Sequence, residues 1–305
     1  MKTRPLYKDM GVVVDGSDHP DMMALDTEGV KDLFRTYGLV LFDGFQTDTK
    51  VFQRFTDQFG QYMSNKGGGS VRDIINKDGD GTILSVSYNY NVPKQRTFGL
   101  PLHSDRSYVR SCPPLMWFYC VIPAAGDGHT TACDGVRFYE HLSPSTKTLF
   151  QQNRIKYIRH YSDNEWKLWC QTDNLGDVQA YCRDNGLSLT IDPDDQSVTT
   201  EYATSAIMKT RWGGKDAFVN SILIVLWQED DLKRTSSLVR LENGSKIPPD
   251  VVAELKELAT KLTEPIPWTP HSLAMLDNNR MMHGRQPFDD HNREIYVRMC
   301  PKIDW

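Results

Sequence analysis

The sequence predicts a mainly β fold with flanking helices, built on a double-stranded β-helix core of the jelly-roll, cupin-like type. Two observations favour this fold. His103 and Asp105 are two residues apart, and alternate residues of a strand point to the same side, so both side chains can reach one ion. A third candidate ligand, His283, lies far downstream. This separation fits a barrel or sandwich in which distant strands become neighbours.

The composition is that of a globular enzyme. At 305 residues, with 39% hydrophobic and 25% charged residues, the chain can bury a sizeable core, and we interpret residues 1–305 as one domain. A net charge of −5 without a basic stripe argues against a nucleic-acid partner. No apolar run has the length of a membrane span, and the N-terminus lacks a signal-peptide core, so we expect a cytoplasmic protein without a membrane partner. Nothing in the pattern indicates the oligomeric state.

The first third of the chain has clear helical and strand patterns. Residues 26–37 carry apolar side chains at helical spacing up to Gly38, and the run Leu39-Val40-Leu41-Phe42 that follows is typical of a buried strand. Residues 49–60 repeat the helical pattern, which ends at Gly60. The aromatic side chains of these two helices are expected in the core.

Later elements surround the candidate ligands. Residues 113–120 form an apolar run typical of a buried strand, and strands are predicted on both sides of His283, at 272–277 and 294–299. Asn220 lies at a strand that leads into the apolar run 222–226. Residues 250–262 follow two prolines and place leucines and a valine on one helical stripe.

Two histidines and one carboxylate are the ligands with which a mononuclear non-haem Fe(II) centre fills one face of an octahedron, leaving the other face open. A His-X-Asp tripeptide alone is common and usually structural, so its surroundings decide. Two other classes of protein are compatible with a jelly roll. A zinc hydrolase would need a general base on a frame such as H-E-x-x-H, which is absent. A non-catalytic jelly-roll binding protein would not require all three ligands.

The six cysteines show no C-x-x-C pair and no zinc spacing, which favours reduced, buried thiols.

Four sequence blocks extend the pattern around His103, Asp105 and His283. After the H-x-D block come P-L-M-W-F-Y-C at 114–120, G-H-T-T-A-C-D at 128–134 and D-N-N-R-M-M-H-G-R-Q-P-F at 277–288, with arginines beyond. In this order the blocks resemble the TauD/TfdA (taurine dioxygenase-like) family of Fe(II)- and 2-oxoglutarate-dependent dioxygenases. The similarity is greatest to the branch that modifies amino acids in natural-product pathways. It covers roughly residues 30–300.

The resemblance implies the roles of several residues. His103, Asp105 and His283 would hold Fe(II), with 2-oxoglutarate and O2 as co-substrates and with succinate and CO2 released. Thr130 matches the family threonine that bonds the far carboxylate of 2-oxoglutarate. Family members that halogenate lack the carboxylate found here at Asp105, so hydroxylation, desaturation or oxidative cyclisation is expected. The family also implies that residues 151–215 form a lid insertion over the substrate.

Two arginines are candidates for binding the far carboxylate of 2-oxoglutarate. The family has arginines near eleven and fifteen positions after the distal histidine, whereas this chain has Arg293 and Arg298 at ten and fifteen. Arg293 could bind the co-substrate and Arg298 the primary substrate, or the reverse. Residues five apart on a strand face opposite sides, so only one arginine need point inward.

The primary substrate cannot be named from the sequence. The resemblance and the second arginine favour a small polar molecule, such as a free or carrier-bound amino acid. Tyr88, Asn89 and Asn91 precede the H-x-D block where this family often lines its pocket, and their side chains supply hydrogen bonds. Together with Arg298 they are the candidate substrate contacts.

Overall fold

The computed structural model describes residues 1–65, 74–87, 98–288, 290 and 292–305. Tyr88, Asn89 and Asn91, which were expected to contact substrate, lie outside the described residues. The strands are β1 (Lys2–Pro5), β2 (Val12–Asp15), β3 (Leu39–Asp43), β4 (Leu84–Ser85), β5 (Leu100–His103), β6 (Leu115–Ile122), β7 (Thr130–Asp134), β8 (Ile155–Tyr161), β9 (Ser188–Ile191), β10 (Val198–Thr204), β11 (Ile207–Lys209), β12 (Asp216–Phe218), β13 (Ser237–Leu241), β14 (Glu264–Pro265), β15 (Leu273–Asp277), β16 (Met281–Arg285) and β17 (Glu294–Cys300).

The helices flank these strands. They are α1 (Thr27–Tyr37), α2 (Thr49–Thr56), α3 (Gly135–His141), α4 (Pro144–Gln152), α5 (Asp163–Cys170), α6 (Leu175–Asp184), α7 (Ile222–Asp230) and α8 (Pro249–Leu262). The first predicted helix is confirmed as α1. It begins after Asp26, whose carboxylate accepts hydrogen bonds from two backbone N–H groups, and it ends at Gly38 in the left-handed conformation with φ 69°.

Two facing sheets form the predicted jelly roll. The major sheet has the strand order β1-β2-β3-β15-β6-β17-β4, and the minor sheet has the order β14-β7-β16-β5. Neighbouring strands are antiparallel except β2 and β3. Phe118 and Val297 from the major sheet pack with Ala132 and Met281 from the minor sheet in one buried cluster. The predicted fold class is therefore confirmed.

Helices cover the outer faces of both sheets. Aromatic side chains of α1 and α2 pack on the major sheet, and α3, α7 and α8 pack on the minor sheet. The apolar run 222–226 belongs to α7 rather than to a strand, and its side chains are mostly buried. A helix that is apolar nearly all round is typical of such a buried position.

Residues 151–215 add a further layer. Within this stretch β10 pairs with both β8 and β9, and β13 pairs with β8 to give the strand order β13-β8-β10-β9. Helices α5 and α6 pack beside it around a small core of Trp166, Val178, Cys182 and Val198.

Arg298 lies on the outer face of β17, away from the space between the sheets. Ile295, Val297 and Met299 point inward, and Arg298 is 1% exposed beneath α2. Its guanidinium donates hydrogen bonds to Asp57 at 2.9 Å and to Asp80 at 3.4 Å, and it stacks 3.9 Å from the centre of the Tyr62 ring. This corrects the expectation that Arg298 contacts the co-substrate or the substrate. Because side chains alternate along β17, Arg298 faces acidic partners on the other side of the sheet.

We expect Arg298→Met to lower the free energy of unfolding by about 2–4 kcal/mol, because a buried cation is lost and its acidic partners stay behind. Urea unfolding followed by circular dichroism measures the change. Arg54→Met is the matched control, since Arg54 is exposed on α2, the helix that covers Arg298. Equal stability of the two variants would contradict the structural role of Arg298.

Candidate active site

The pairing of β5 with β16 brings the three candidate metal ligands together. His283 lies directly opposite His103 in this antiparallel pair. Nε2 of His103 is 4.0 Å from Oδ1 of Asp105, and Nε2 of His283 is 3.6 Å from Oδ2 of the same carboxylate. Each residue offers one ligand atom, and all three atoms lie within 4.8 Å of one another. This donor set and spacing fit one divalent ion held on a single face.

The tautomer of His103 suits metal binding. Its Nδ1 lies 2.9 Å from the carbonyl oxygen of Pro101, and a carbonyl can only accept, so Nδ1 carries the proton. The lone pair of Nε2 then faces Asp105, as a neutral histidine ligand requires. His283 is held by packing instead. Its ring is 5.3 Å from the ring of Phe118, and its buried Nδ1 has no hydrogen-bond partner.

Asp105 lies just beyond the end of β5 and is positioned through its backbone. The N–H of Asp105 donates to Oδ1 of Asn278 at 2.9 Å, and the Asn278 amide donates back to the Asp105 carbonyl at 2.9 Å. Asn278 is fully buried, and its amide also donates to the carbonyl of Pro113 at 3.0 Å. The Asn278 side chain therefore fixes the turn that carries the carboxylate.

Thr130 and Arg293 join the three ligands in one cavity. The Arg293 side chain donates from Nε to the carbonyl of Gly128 at 2.6 Å and from Nη2 to Oγ1 of Thr130 at 3.2 Å. Its third nitrogen, Nη1, is buried without a hydrogen-bond partner. In the part of the chain that the structure describes, no carboxylate lies within ion-pair distance of Arg293.

Arg285 lines the same cavity and was missed by sequence reasoning, although it belongs to the H-G-R block. The signal was available, because residues two apart on a strand share a face and Arg285 follows His283 by two. Burial lowers the pKa of Arg285 to about 10. Burial also lowers the pKa of Arg293 to about 9, with a further contribution from the Arg285 charge. Both groups remain cations at neutral pH.

The lowered pKa values indicate that burying these two guanidinium cations costs free energy. Both guanidiniums pack against the Phe288 ring, at 4.6 Å for Arg285 and 5.2 Å for Arg293. A carboxylate bound in the cavity would neutralise this charge and would satisfy Nη1 of Arg293. The cavity thus combines three candidate metal ligands with a side chain that is suited to binding an anion.

A zinc hydrolase fits this cavity poorly. Among the described residues that line it, Asp105 is the sole carboxylate, and it belongs to the metal-ligand set. No second acid is therefore placed to act as the general base that activated water would need. A jelly roll that brings two histidines and one carboxylate together in one cavity is typical of the mononuclear non-haem metal oxygenases.

Comparison with known proteins agrees with this class. The family model "Taurine catabolism dioxygenase TauD, TfdA family" matches residues 2–300. A clavaminate synthase-like protein of Arabidopsis thaliana is 23% identical over 284 residues, which are 88% of this chain and 83% of that protein. The dapdiamide synthesis protein DdaC of Enterobacter agglomerans is 24% identical over 242 residues, covering 74% and 71%.

Solved structures share the fold at low sequence identity. PvcB of Pseudomonas aeruginosa superposes with a TM-score of 0.61 at 15% identity, over 98% of this chain and 90% of PvcB. A second structure describes PvcB as an Fe, alpha-ketoglutarate-dependent oxygenase from an isonitrile synthetic pathway.

The chain belongs to the TauD/TfdA family of dioxygenases. It is an oxidoreductase that depends on Fe(II) and 2-oxoglutarate, with O2 as the second co-substrate. In the described part of the chain, no helix is long and apolar enough to cross a membrane.

We expect Asn278→Ala to weaken Fe(II) binding by about 10- to 100-fold, because the turn carrying Asp105 loses its support. Anaerobic competition with a chromophoric chelator measures the affinity. Asn279→Ala is the matched control, since Asn279 is adjacent but does not hydrogen-bond to Asp105. Unchanged affinity in Asn278→Ala, with Fe(II) still bound, would show that Asn278 does not position the ligand.

Proposed function

We propose that this protein oxidises an unactivated C–H bond of a small polar substrate, a free or carrier-bound amino acid or derivative, in a natural-product pathway. The outcome would be hydroxylation, desaturation or cyclisation, with release of succinate and CO2. The observation that carries the proposal is the convergence of three ligand atoms within 4.8 Å in a cavity that also holds the buried Arg293. The relatives named for dapdiamide synthesis and for an isonitrile synthetic pathway support the pathway class.

In this proposal His103, Asp105 and His283 hold Fe(II). When bound, Fe(II) with 2-oxoglutarate and O2 supplies the oxidising chemistry, and the protein supplies orientation and exclusion of water. Thr130 and Arg293 bind the far carboxylate of 2-oxoglutarate. Their mutual hydrogen bond and the free Nη1 of Arg293 support this assignment, because a guanidinium edge binds a carboxylate through two parallel hydrogen bonds.

The rest of the cavity keeps the reacting region dry. Val86, Leu100 and Phe118 form its apolar walls, and His283 and Arg293 are almost completely buried. A low-dielectric wall strengthens the attraction between the Arg293 cation and a bound carboxylate. Residues 151–215 are proposed to act as the lid over the substrate, since β8 packs beside the turn that carries Asp105.

Turnover by wild-type protein and by His283→Ala tests the metal assignment. Protein loaded anaerobically with Fe(II) and 2-oxoglutarate and then exposed to O2 should form succinate slowly, and His283→Ala should form almost none. His19→Ala is the control, because His19 is exposed and far from these ligands in the sequence. If iron-loaded wild type forms no succinate, or if His283→Ala matches it, the oxygenase proposal fails.

Arg293→Gln tests the co-substrate assignment. The Kd for 2-oxoglutarate should rise by about 10- to 100-fold, as expected for loss of a charge-assisted hydrogen-bonded pair. Arg293→Lys should recover only part of the affinity, because an ammonium cannot bind a carboxylate edge-on through two bonds. Titration of 2-oxoglutarate into the anaerobic Fe(II) protein, followed by its visible charge-transfer band, measures both. Wild-type affinity in Arg293→Gln would transfer the role to another cation, such as Arg285.

A further inference from the structure

A second group of cations lies beside the turn that carries Asp105 and has no role in the assignments above. It joins residues 106–108 to the insertion 151–215, and we call it the arginine–tyrosine cluster. All its members are half-buried, so the cluster borders solvent. The members are Arg106, Tyr108, Arg159, Tyr161, Trp169 and Tyr181.

Strand β8 aims Arg159 toward the metal-ligand turn. Tyr157, Arg159 and Tyr161 share one face of β8 because side chains alternate along a strand. The Tyr157 hydroxyl accepts a hydrogen bond from the N–H of Ser221 at 2.7 Å. The Ser221 hydroxyl in turn donates to the carbonyl of Ser104 at 2.8 Å. Ser221 therefore links this face of β8 to Ser104, which lies between His103 and Asp105, and Arg159 follows Tyr157 on the same face.

The Arg159 guanidinium packs on the ring of Tyr108, and further aromatic rings lie in the same cluster. It lies 3.5 Å from the centre of the Tyr108 ring. Tyr161 stacks on Trp169 with ring centres 4.9 Å apart and planes within 8°, and Trp169 meets the edge of Tyr181 at 4.9 Å. The Tyr181 hydroxyl accepts a hydrogen bond of 3.5 Å from Arg106, which directly follows Asp105.

Among the described residues, Arg106 and Arg159 lack the acidic partners that two other partly buried arginines have. Arg240 pairs with Glu229 at 2.7 Å and Arg280 pairs with Asp134 at 2.7 Å. Among the described residues, no carboxylate lies within 4.0 Å of Arg106 or Arg159. The cross-strand neighbours of Arg159 are the uncharged Thr200 and Ser237.

Arg106 shows two further signs of a functional position. Its Nε is buried without a hydrogen-bond partner. Its backbone has φ 59°, a left-handed conformation that is uncommon for arginine and often found at binding sites. Arg106 directly follows the candidate ligand Asp105, and Arg159 lies against the ring of Tyr108. Two cations beside aromatic rings, without acidic partners among the described residues, are suited to binding an organic anion.

We propose that the arginine–tyrosine cluster binds the carboxylate of the primary substrate, with Arg159 as the principal cation. The substrate would then carry a free carboxylate and would not be joined through it to a carrier. Arg298 cannot supply this cation because it lies on the outer face of β17. The inference rests on the proposed function for the reaction, but binding of a carboxylate by the cluster can be measured without turnover.

The test compares carboxylates with their neutral carboxamides. Isothermal titration uses a panel of L-amino acids and the matching amino-acid amides, on protein with and without Fe(II) and 2-oxoglutarate. We expect at least one amino acid to bind wild type about tenfold or more tightly than its amide. Arg159→Gln should abolish that preference, Arg159→Lys should retain part of it, and the affinity for 2-oxoglutarate should not change.

Arg183→Gln is the matched control, since Arg183 is exposed on α6 in the same insertion. A second measurement needs no variant: a bound amino acid should protect Arg159 of wild type from phenylglyoxal, as mapped by peptide mass spectrometry. The proposal is overturned if no amino acid is preferred over its amide, or if Arg159→Gln keeps the preference. Stronger protection of Arg159 by inorganic phosphate than by every carboxylate would also overturn it.

The same samples separate this inference from the proposed function. A wild-type protein that forms no Fe(II)–2-oxoglutarate complex and no succinate would refute the oxygenase proposal, whatever the amino-acid titrations show. Carboxylate preference lost in Arg159→Gln, with the visible band of the Fe(II)–2-oxoglutarate complex intact, would support the cluster as a separate anion site.

Discussion

The close antiparallel contact between β5 and β16 is the constraint on which the candidate active site depends. It places His283 opposite His103, and the register shifts between His283 and Arg285. A Cβ atom at Gly284 would lie 2.4 Å from the carbonyl oxygen of Leu100, so the strands can approach this closely only with glycine between the two functional side chains. The H-G-R block thus combines a ligand, a close strand contact and a cavity-lining cation.

The arginines of this chain differ in what neutralises them, and that difference separates structural from functional roles. Arg298 is surrounded by acceptors from α2 and the segment before β4, which makes it part of the core. Arg293 is equally buried but meets only a carbonyl and a hydroxyl among the described residues. A buried cation without a counter-charge is costly to fold, so its retention in a cavity indicates an anionic ligand.

The sequence predicted the features that depend on local pattern. The first helix, the strands around His283 and the jelly roll follow from apolar periodicity and from the spacing of the ligands. Arg298 could not be assigned correctly, because its partners Asp57 and Asp80 are distant in sequence and only the folded chain brings them together. The run 222–226 was ambiguous because short apolar runs fit a buried helix or a buried strand. Arg159 was not identified from the sequence because β8 mixes apolar, aromatic and charged residues without a recognisable motif.

The positions of Arg293 and Arg159 suggest that different parts of the fold bind the co-substrate and the substrate. Arg293 directly precedes a core strand of the jelly roll, whereas Arg159 lies on β8, within the proposed lid 151–215. In the proposed assignments, co-substrate binding stays fixed on the core, while the proposed lid can change with the substrate. Both cations approach the metal-ligand turn from different elements, so a carboxylate on the substrate and one on 2-oxoglutarate need not compete for the same arginine. Under this arrangement, variation in the insertion would alter substrate choice and leave the oxidising centre intact.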